Sequence, residues 1–405
     1  WTFAPVVDVN INPDNPIANT RSLGDNPDRI SRLASAMIRG AQSHGLAACA
    51  KHFPGDGIDD FDQHVSTTVN SLSMEDWKRI SGRTFSAVFE ADVMSVMIGH
   101  IALPAWDPAV DKRGALRPAT VNRRIVTDLF CGEMKFGGLA VTDDMNMGGV
   151  AGFMNRRDRT VACIAAGCDM ILFPHLPGEY HILLAAVKDG RLPEERVNDA
   201  ARRVLEFKAR LSLHTGPLEY GDAPAAQAEE FKAAARAIGE GSVVKARDVE
   251  GLLPLRGLKP GARVATVTLS HDGVELPEVD AELKKRGFVV DHFLNPSGTF
   301  SPASKNYEAV FVNFAFKACW AISSVRSVGP HNRMFMEGFY MEHPCAVFTS
   351  FASPYHLRQF GSLKNLVNVH SSTADSQRAA VAAWFGEIPM IGQSPVGNLT
   401  RTFGA

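Results

Sequence analysis

Short apolar runs that stop at a reactive residue recur through the first 213 residues, and segments of helical period separate them. Phe3 to Val7 ends at Asp8, and Leu46 to Ala50 leads into Lys51. Val93 to Ile98 runs up to His100, Gly138 to Thr142 up to Asp143, and a further run spans Cys168 to Phe173. The intervening segments are Pro27 to Gly45, with Ile30, Leu33, Met37 and Ile38 on one side, Met74 to Glu90, and Pro118 to Gly132. Pro193 to Leu211 closes the series, with Val197, Ala201, Val204 and Leu211 aligned. Near-continuous apolar strands between helices predict an α/β fold, a parallel sheet covered by helices. Lys51, His100 and Asp143 then lie at C-terminal strand ends, the catalytic face of a β/α barrel. A doubly wound sheet also gathers strand ends at its crevice, so position alone does not choose between the two.

Residues 214–227 hold Gly216, Pro217, Gly221 and Pro224 and read as a linker. A helix, Glu229 to Ile238, follows. Ala262 to Leu269, Phe288 to Phe293, Ala309 to Phe314, Ala346 to Phe351 and Leu366 to His370 then read as strands of a second, smaller α/β domain over 228–405. It contains no GxGxxG, P-loop or nucleophile elbow. A length of 405 residues fits two or three domains. Lys plus Arg number 42 against 44 Asp plus Glu, a net charge of −2 that argues against a nucleic-acid partner. No apolar stretch reaches the roughly 18 residues of a membrane span. The cysteines, Cys49, Cys131, Cys163, Cys168, Cys319 and Cys345, form no CxxC pair and read as buried free thiols, which favours a reducing, cytoplasmic compartment. Trp1 to Val9 already reads as a strand, so the lack of a leader says nothing about location.

Two clusters carry candidate chemistry. The first is Lys51-His-Phe-Pro-Gly-Asp-Gly-Ile-Asp-Asp-Phe-Asp-Gln-His64. Asp62 and His64 are two apart, so an extended segment puts both on one face, where the carboxylate can fix the imidazole tautomer. The alternative is a solvated acidic loop with a surface histidine. Gly55 and Gly57 flank Asp56, and few apolar anchors follow, so the loop is expected to move without ligand; the alternative is a rigid loop held by Ile58 and Phe61 packing on the barrel rim. The second cluster is Gly138-Leu-Ala-Val-Thr-Asp143-Asp144-Met-Asn-Met147. An acid directly after a buried strand must be paired or face a cleft. Alternatively, Asp143 only starts the turn and Asp144 or Thr142 caps the next helix.

KHFPGDG with D-x-H, then VTDDMNM, resemble family 3 glycoside hydrolases, and more narrowly their β-N-acetylglucosaminidase branch. FAPVVDVN (3–10), NTRSLGDNP (19–27), MIGHIALPAWDP (97–108) and AGCDMILF (166–173) extend the likeness over most of 1–213. GEIPMIGQSPV (386–396) resembles, weakly, the last turn of the smaller C-terminal domain found in many members. The resemblance implies a (β/α)8 barrel with Asp143 as nucleophile, His64 as acid/base and Asp62 as its dyad partner. It implies sugar contacts from Arg21, Lys51 and His52. His100 and Asp8 fall at matching strand ends, as site-lining or structural residues. Members carry further strands before the one at Phe3, so the barrel of this chain is expected to lack about two at its N-terminal side.

The implied activity is a retaining exo-β-N-acetylglucosaminidase on GlcNAc-containing saccharides from peptidoglycan or chitin. The alternatives are a glycoside phosphorylase, a β-glucosidase and a catalytically impaired saccharide-binding chain. A histidine acid/base repels phosphate less than a carboxylate would, which keeps the phosphorylase open. No cofactor and no metal is expected: His52, His64, Asp56, Asp59, Asp60 and Asp62 match no zinc or EF-hand spacing.

Overall fold

Four short apolar segments become parallel strands, and the chain covers the first two on both faces. In the computed structural model, which describes residues 1–216, 224–296, 300–320 and 322–400, they are β1 (Cys49–Phe53), β2 (Ser95–Ile98), β3 (Leu139–Asp144) and β4 (Met170–Leu172). They pair in chain order: Ala50 lies beside Val96, Val96 beside Ala140, and Val141 beside Met170. All of β2 is buried, and β1 is buried except at Lys51. This is the pattern of strands without a wet face, whereas β4 at the end of the sheet is half-buried throughout. Two units divide the chain: Trp1–Tyr220 with Cys319–Ser323, and Gly221–Ala318 with Ser324–Ala405.

In the first unit, helix Pro27–Gln42 starts where Asn26 accepts a hydrogen bond from the Arg29 N–H and Pro27 fills the first position. Its buried face is Ile30, Ala34 and Ile38, whereas Met37, placed on that face by its spacing, is 49% exposed. The core beneath gathers Phe53, Phe85 and Phe130, with ring centroids 5.0 and 4.7 Å from Phe53. Met74 to Glu90 is two helices, Met74–Arg79 and Ser81–Glu90, broken at Ile80. Gly82 lets the Trp77 ring fold back there, since a Cβ would sit 3.1 Å from it. Pro118 to Gly132 is a 3-10 turn, Ala119–Val121, followed by a π-helical stretch, Arg124–Glu133.

Trp1 to Val9 runs beside β1 but makes one bridge, Val6 to Lys51, rather than a strand. Pro5 has no N–H to give, and Val7 N–H bonds to Lys51 O while Lys51 N–H bonds to Pro5 O. Lys51 itself lies in the middle of β1, not at its end. Beyond these four strands and that segment, the described residues of the unit add a two-residue ladder, Thr68–Val69 with Ile101–Ala102, and an isolated bridge, Val110 to Leu116.

The second unit holds β5 (Val244–Asp248), β6 (Arg263–Leu269), β7 (Val289–Leu294), β8 (Ala309–Phe314), β9 (Ala346–Ser350) and β10 (Asn365–Asn368), in the order β5-β10-β9-β8-β6-β7. All neighbours are parallel except β5, which runs antiparallel to β10. The helix before the sheet begins at Ala225 and ends at Gly241. Residues 217–223 of the expected linker lie outside the described residues. All six cysteines are free. Cys49, Cys163 and Cys168 are buried, while Cys131, Cys319 and Cys345 are half-buried. Burial pushes the Cys49 and Cys163 thiols up to about 12, which keeps them inert.

Candidate active site

Asp8 and His52 form the buried floor of the site. The Asp8 carboxylate accepts from His52 Nδ1 at 2.7 Å, from the His52 N–H at 3.0 Å and from the Asp56 N–H at 2.8 Å. Burial alone would raise the Asp8 pKa. The His52 imidazole and the two backbone donors outweigh it and hold the carboxyl below its ordinary value. With Nδ1 committed to Asp8, His52 turns Nε2 toward Arg21, 3.2 Å away. Arg21 stands on a short turn, Asn19–Arg21, which Asn10 and Asn15 secure through bonds from the N–H groups of Asn19, Ile17 and Ala18. Lys51, half-buried on the adjoining strand, is pulled below the usual lysine range by burial and then by Arg21, with Asp143 opposing.

Asp143 and Asp144 end β3. Asp144 is spent locally: its carboxylate accepts from the N–H and side-chain amide of Asn146, and its carbonyl lies 2.9 Å from His100 Nε2. Asp143 accepts the Asp144 N–H at 2.8 Å. Burial pushes its pKa up, yet His52, His100, that N–H and Lys51 together bring it below the ordinary carboxylate value. The group is therefore anionic at neutral pH, as a nucleophile must be. His100 is fully buried, with Nδ1 on Thr120 Oγ1 at 2.7 Å and Nε2 on the Asp144 carbonyl. Both ring nitrogens serve the fold, so His100 holds the β3 turn and has none left for a ligand.

His64 Nδ1 lies 2.7 Å from Asp62 Oδ1, which also accepts the His64 N–H at 2.8 Å. The carboxylate is buried and the ring a quarter exposed. A carboxylate only accepts, so Nδ1 carries the proton toward Asp62 and Nε2 is the nitrogen available for exchange. Two backbone bonds tie this loop to the turn after Asp143: Gly148 N–H to His64 O and Gly149 N–H to Gln63 O. A Cβ at Gly149 would sit 2.7 Å from Gln63 O, so glycine allows the approach. The loop that carries Asp62 and His64 is thus bonded to the segment that follows Asp143.

The glycine-rich loop is pinned, contrary to the mobility its composition suggests. Asp56, which accepts from Asn15, the Gly57 N–H and Gln63, is the buried hub. Burial and the neighbouring Asp8 raise its pKa to about 6. Asn12 donates its N–H to Gly57 O and its side-chain amide to Ile58 O, and Asp59 accepts the Val69 N–H. Phe61, expected to anchor the loop by packing, is 63% exposed. Asn15, Gln63 and the role of Asp56 escape sequence reasoning, because the bonds of Asn15 to Asp56 and of Gln63 to the His100 N–H join residues 41 and 37 apart in the chain. Ser323 is also missed; its hydroxyl lies 3.2 Å from Asp62 Oδ2. Among the described residues no group of three His, Cys, Asp or Glu side chains could hold a metal ion.

The family model for the glycosyl hydrolase family 3 N terminal domain matches residues 1–207. A beta-N-acetylglucosaminidase/beta-glucosidase of Cellulomonas fimi is 32% identical over 424 residues, 98% of this chain and 74% of that protein. A beta-hexosaminidase of Pseudomonas aeruginosa is 32% identical over 187 residues, 46% of this chain and 53% of its own length. Thus the chain spans about half of that relative. Among solved structures, beta-glucoside phosphorylase BglX superposes with a TM-score of 0.86 at 30% identity, covering 98% of this chain and 74% of that one. A family 3 beta-N-acetylglucosaminidase from Paenibacillus sp. str. FPU-7 gives 0.85 at 26% identity, covering 99% and 76%.

Proposed function

Because the chain belongs to glycoside hydrolase family 3, we propose that it is a retaining exo-β-N-acetylglucosaminidase. Its substrates are terminal β-linked GlcNAc residues of peptidoglycan- or chitin-derived saccharides. The observation that carries this reading is the Asp62–His64 pair, bonded through Gly148 and Gly149 to the turn that follows Asp143. In this reading residues 1–213 are the catalytic domain, part of a β/α barrel, 214–227 a linker, and 228–405 a C-terminal α/β domain.

Asp143 attacks the anomeric carbon while His64 Nε2–H gives its proton to the departing oxygen. The C–O bond to the aglycone breaks as an ester forms between Asp143 and the sugar. Neutral His64 then takes a proton from water, which attacks the same carbon, releases Asp143 and leaves the β-anomer. Asp62 compensates the charge of the imidazolium in each direction. Arg21 and Lys51 donate to sugar hydroxyls, and His52, oriented by Asp8 and facing Arg21 through Nε2, meets the sugar beside them.

A second reading, a β-N-acetylglucosaminide phosphorylase, draws on the likeness to beta-glucoside phosphorylase BglX and on the cationic side chain of Lys51, which interacts with Asp143 and with Arg21. Phosphate would replace water in the second step. Hydrolysis of an aryl β-GlcNAc beside the aryl β-glucoside, with and without phosphate, tests both. Release of free β-GlcNAc irrespective of phosphate supports the hydrolase. GlcNAc-1-phosphate as product assigns the phosphorylase, and turnover of the glucoside alone overturns the GlcNAc assignment.

A further inference from the structure

The first unit includes a segment from far along the chain, Cys319–Ser323. Two of its described residues meet the candidate acid/base pair. Ser323, 261 residues from Asp62 in sequence, puts its hydroxyl 3.2 Å from Asp62 Oδ2. Trp320, 70% exposed, lies with its ring centroid 6.5 Å from that of His64 at an angle of 41°. The two oxygens of the buried carboxylate are thereby divided. Oδ1 accepts both the N–H and Nδ1 of His64, and Ser323 is a donor to Oδ2. The backbone of Ser323 is left-handed, with φ of 54°. Serine rarely adopts this region and glycine does so freely, so the position forgoes the easier residue and retains a hydroxyl.

We propose that Ser323 is a positioning residue of the Asp62–His64 dyad, holding the carboxylate plane so that Oδ1 faces the imidazole and Nε2 faces the bond to be cleaved. This rests on the reading of His64 as general acid. A carboxylate held at one oxygen can turn about its Cβ–Cγ bond and carry the ring with it; a donor on the second oxygen stops that rotation. Ser323 touches no substrate. Its effect enters through the proton transfer and therefore scales with how much proton the leaving group needs.

Ser323→Gly removes the hydroxyl and suits the left-handed backbone. Ser323→Asn also tolerates it and restores a donor. Each full-length variant is compared with His64→Ala on two aryl β-GlcNAc substrates, one with a dinitrophenyl and one with a methoxyphenyl leaving group. The expected result for Ser323→Gly is a loss of roughly tenfold in kcat/KM on the methoxyphenyl substrate, the range of a lost supporting hydrogen bond. The dinitrophenyl substrate should change less than about twofold, and Ser323→Asn should recover most of the loss. If Ser323→Gly behaves like the parent enzyme, or loses equally on both substrates, while His64→Ala separates them, the positioning role is overturned and the acid/base reading stands. If His64→Ala does not separate the substrates, the acid/base reading fails and the role of Ser323 falls with it.

Discussion

At the residue scale the decisive distinction is between two adjacent aspartates. Asp144 is occupied by Asn146 through its carboxylate and by His100 through its carbonyl. Asp143 is the acid whose charge His52, His100 and Lys51 surround. Asp143→Ala is therefore expected to remove turnover by several orders of magnitude while sugar binding persists, as measured by pre-steady-state kinetics beside calorimetric titration. Near-normal rates for that variant, with the loss appearing in Asp144→Ala, would reassign the nucleophile. His64→Ala should cost roughly 10²–10⁴-fold on poor leaving groups and much less on activated ones; equal losses in kcat/KM would remove it from the proton-transfer role. Asp143, Asp62 and His64 stand out as candidates because each lies in a short local pattern, an acid after a buried strand and a pair two residues apart, but their roles come from the family resemblance and not from those patterns. Asp8 was visible as a strand-end acid, but its bond to His52 was not, since 44 residues separate them. The same holds for Ser323. A side-chain hydrogen bond across the fold leaves no periodicity in either segment it joins.

The elements around these residues were legible where burial sets their period, and obscure where a single contact does. β2 and β3 read directly from their apolar runs. The break at Ile80 did not, because the helical period continues through it and only the Trp77–Gly82 contact needs the interruption. β5, Val-Lys-Ala-Arg-Asp, was missed because polar residues interrupt it and only pairing with β10 makes it a strand. The loop to His64 looked mobile from its glycines, yet Gly57 is needed for contact, not motion: at φ of 92° a Cβ would lie 2.4 Å from Val9 O. Gly149 has the same function against the His64 loop, with Gln63 O and His100 Cβ each 2.7 Å from where its Cβ would be. Gly149→Ala should push that loop off the turn following Asp143. Displacements of about 1 Å cost up to roughly 10²-fold in rate. We expect kcat to fall at least tenfold in steady-state assays. Gly137→Ala, where nothing lies within 4 Å of the new Cβ, should leave it unchanged. Equal behaviour of the two variants would show that the close approach does not position His64.

For the whole molecule, the two units respond to acid through different buried groups. In the second unit burial lowers His356 from 6.5 to about 3, and burial followed by His271 also lowers His331; His271 is lowered by burial. Each ring is less basic folded than unfolded. Its contribution to stability is complete above the unfolded value of 6.5, and shrinks as pH falls from there toward the folded value. His292, raised by Asp280, has its contribution complete below 6.5 and adds no slope there. The lowered carboxyls Asp272, Asp291 and Glu282 act only beneath their unfolded values of 3.8 and 4.5. Between pH 6.5 and 4.5 the histidines of this unit therefore act in one direction. In the first unit two groups oppose each other: His100 is lowered by burial, but Asp56 is raised to about 6 and gains stability as pH falls through that value. His356 stacks on Phe314 at 4.4 Å and 23°, and its Nε2 has no hydrogen-bond partner, so phenylalanine can replace the ring without losing a bond there. His356→Phe should flatten the decline in stability across this window by up to about 1.4 kcal/mol per pH unit, the limit for one proton. Urea denaturation at half-unit pH steps, followed for parent and variant, measures it. Parallel curves would mean that His356 is equally basic folded and unfolded, and the acid response would have to come from His331 and His271 alone.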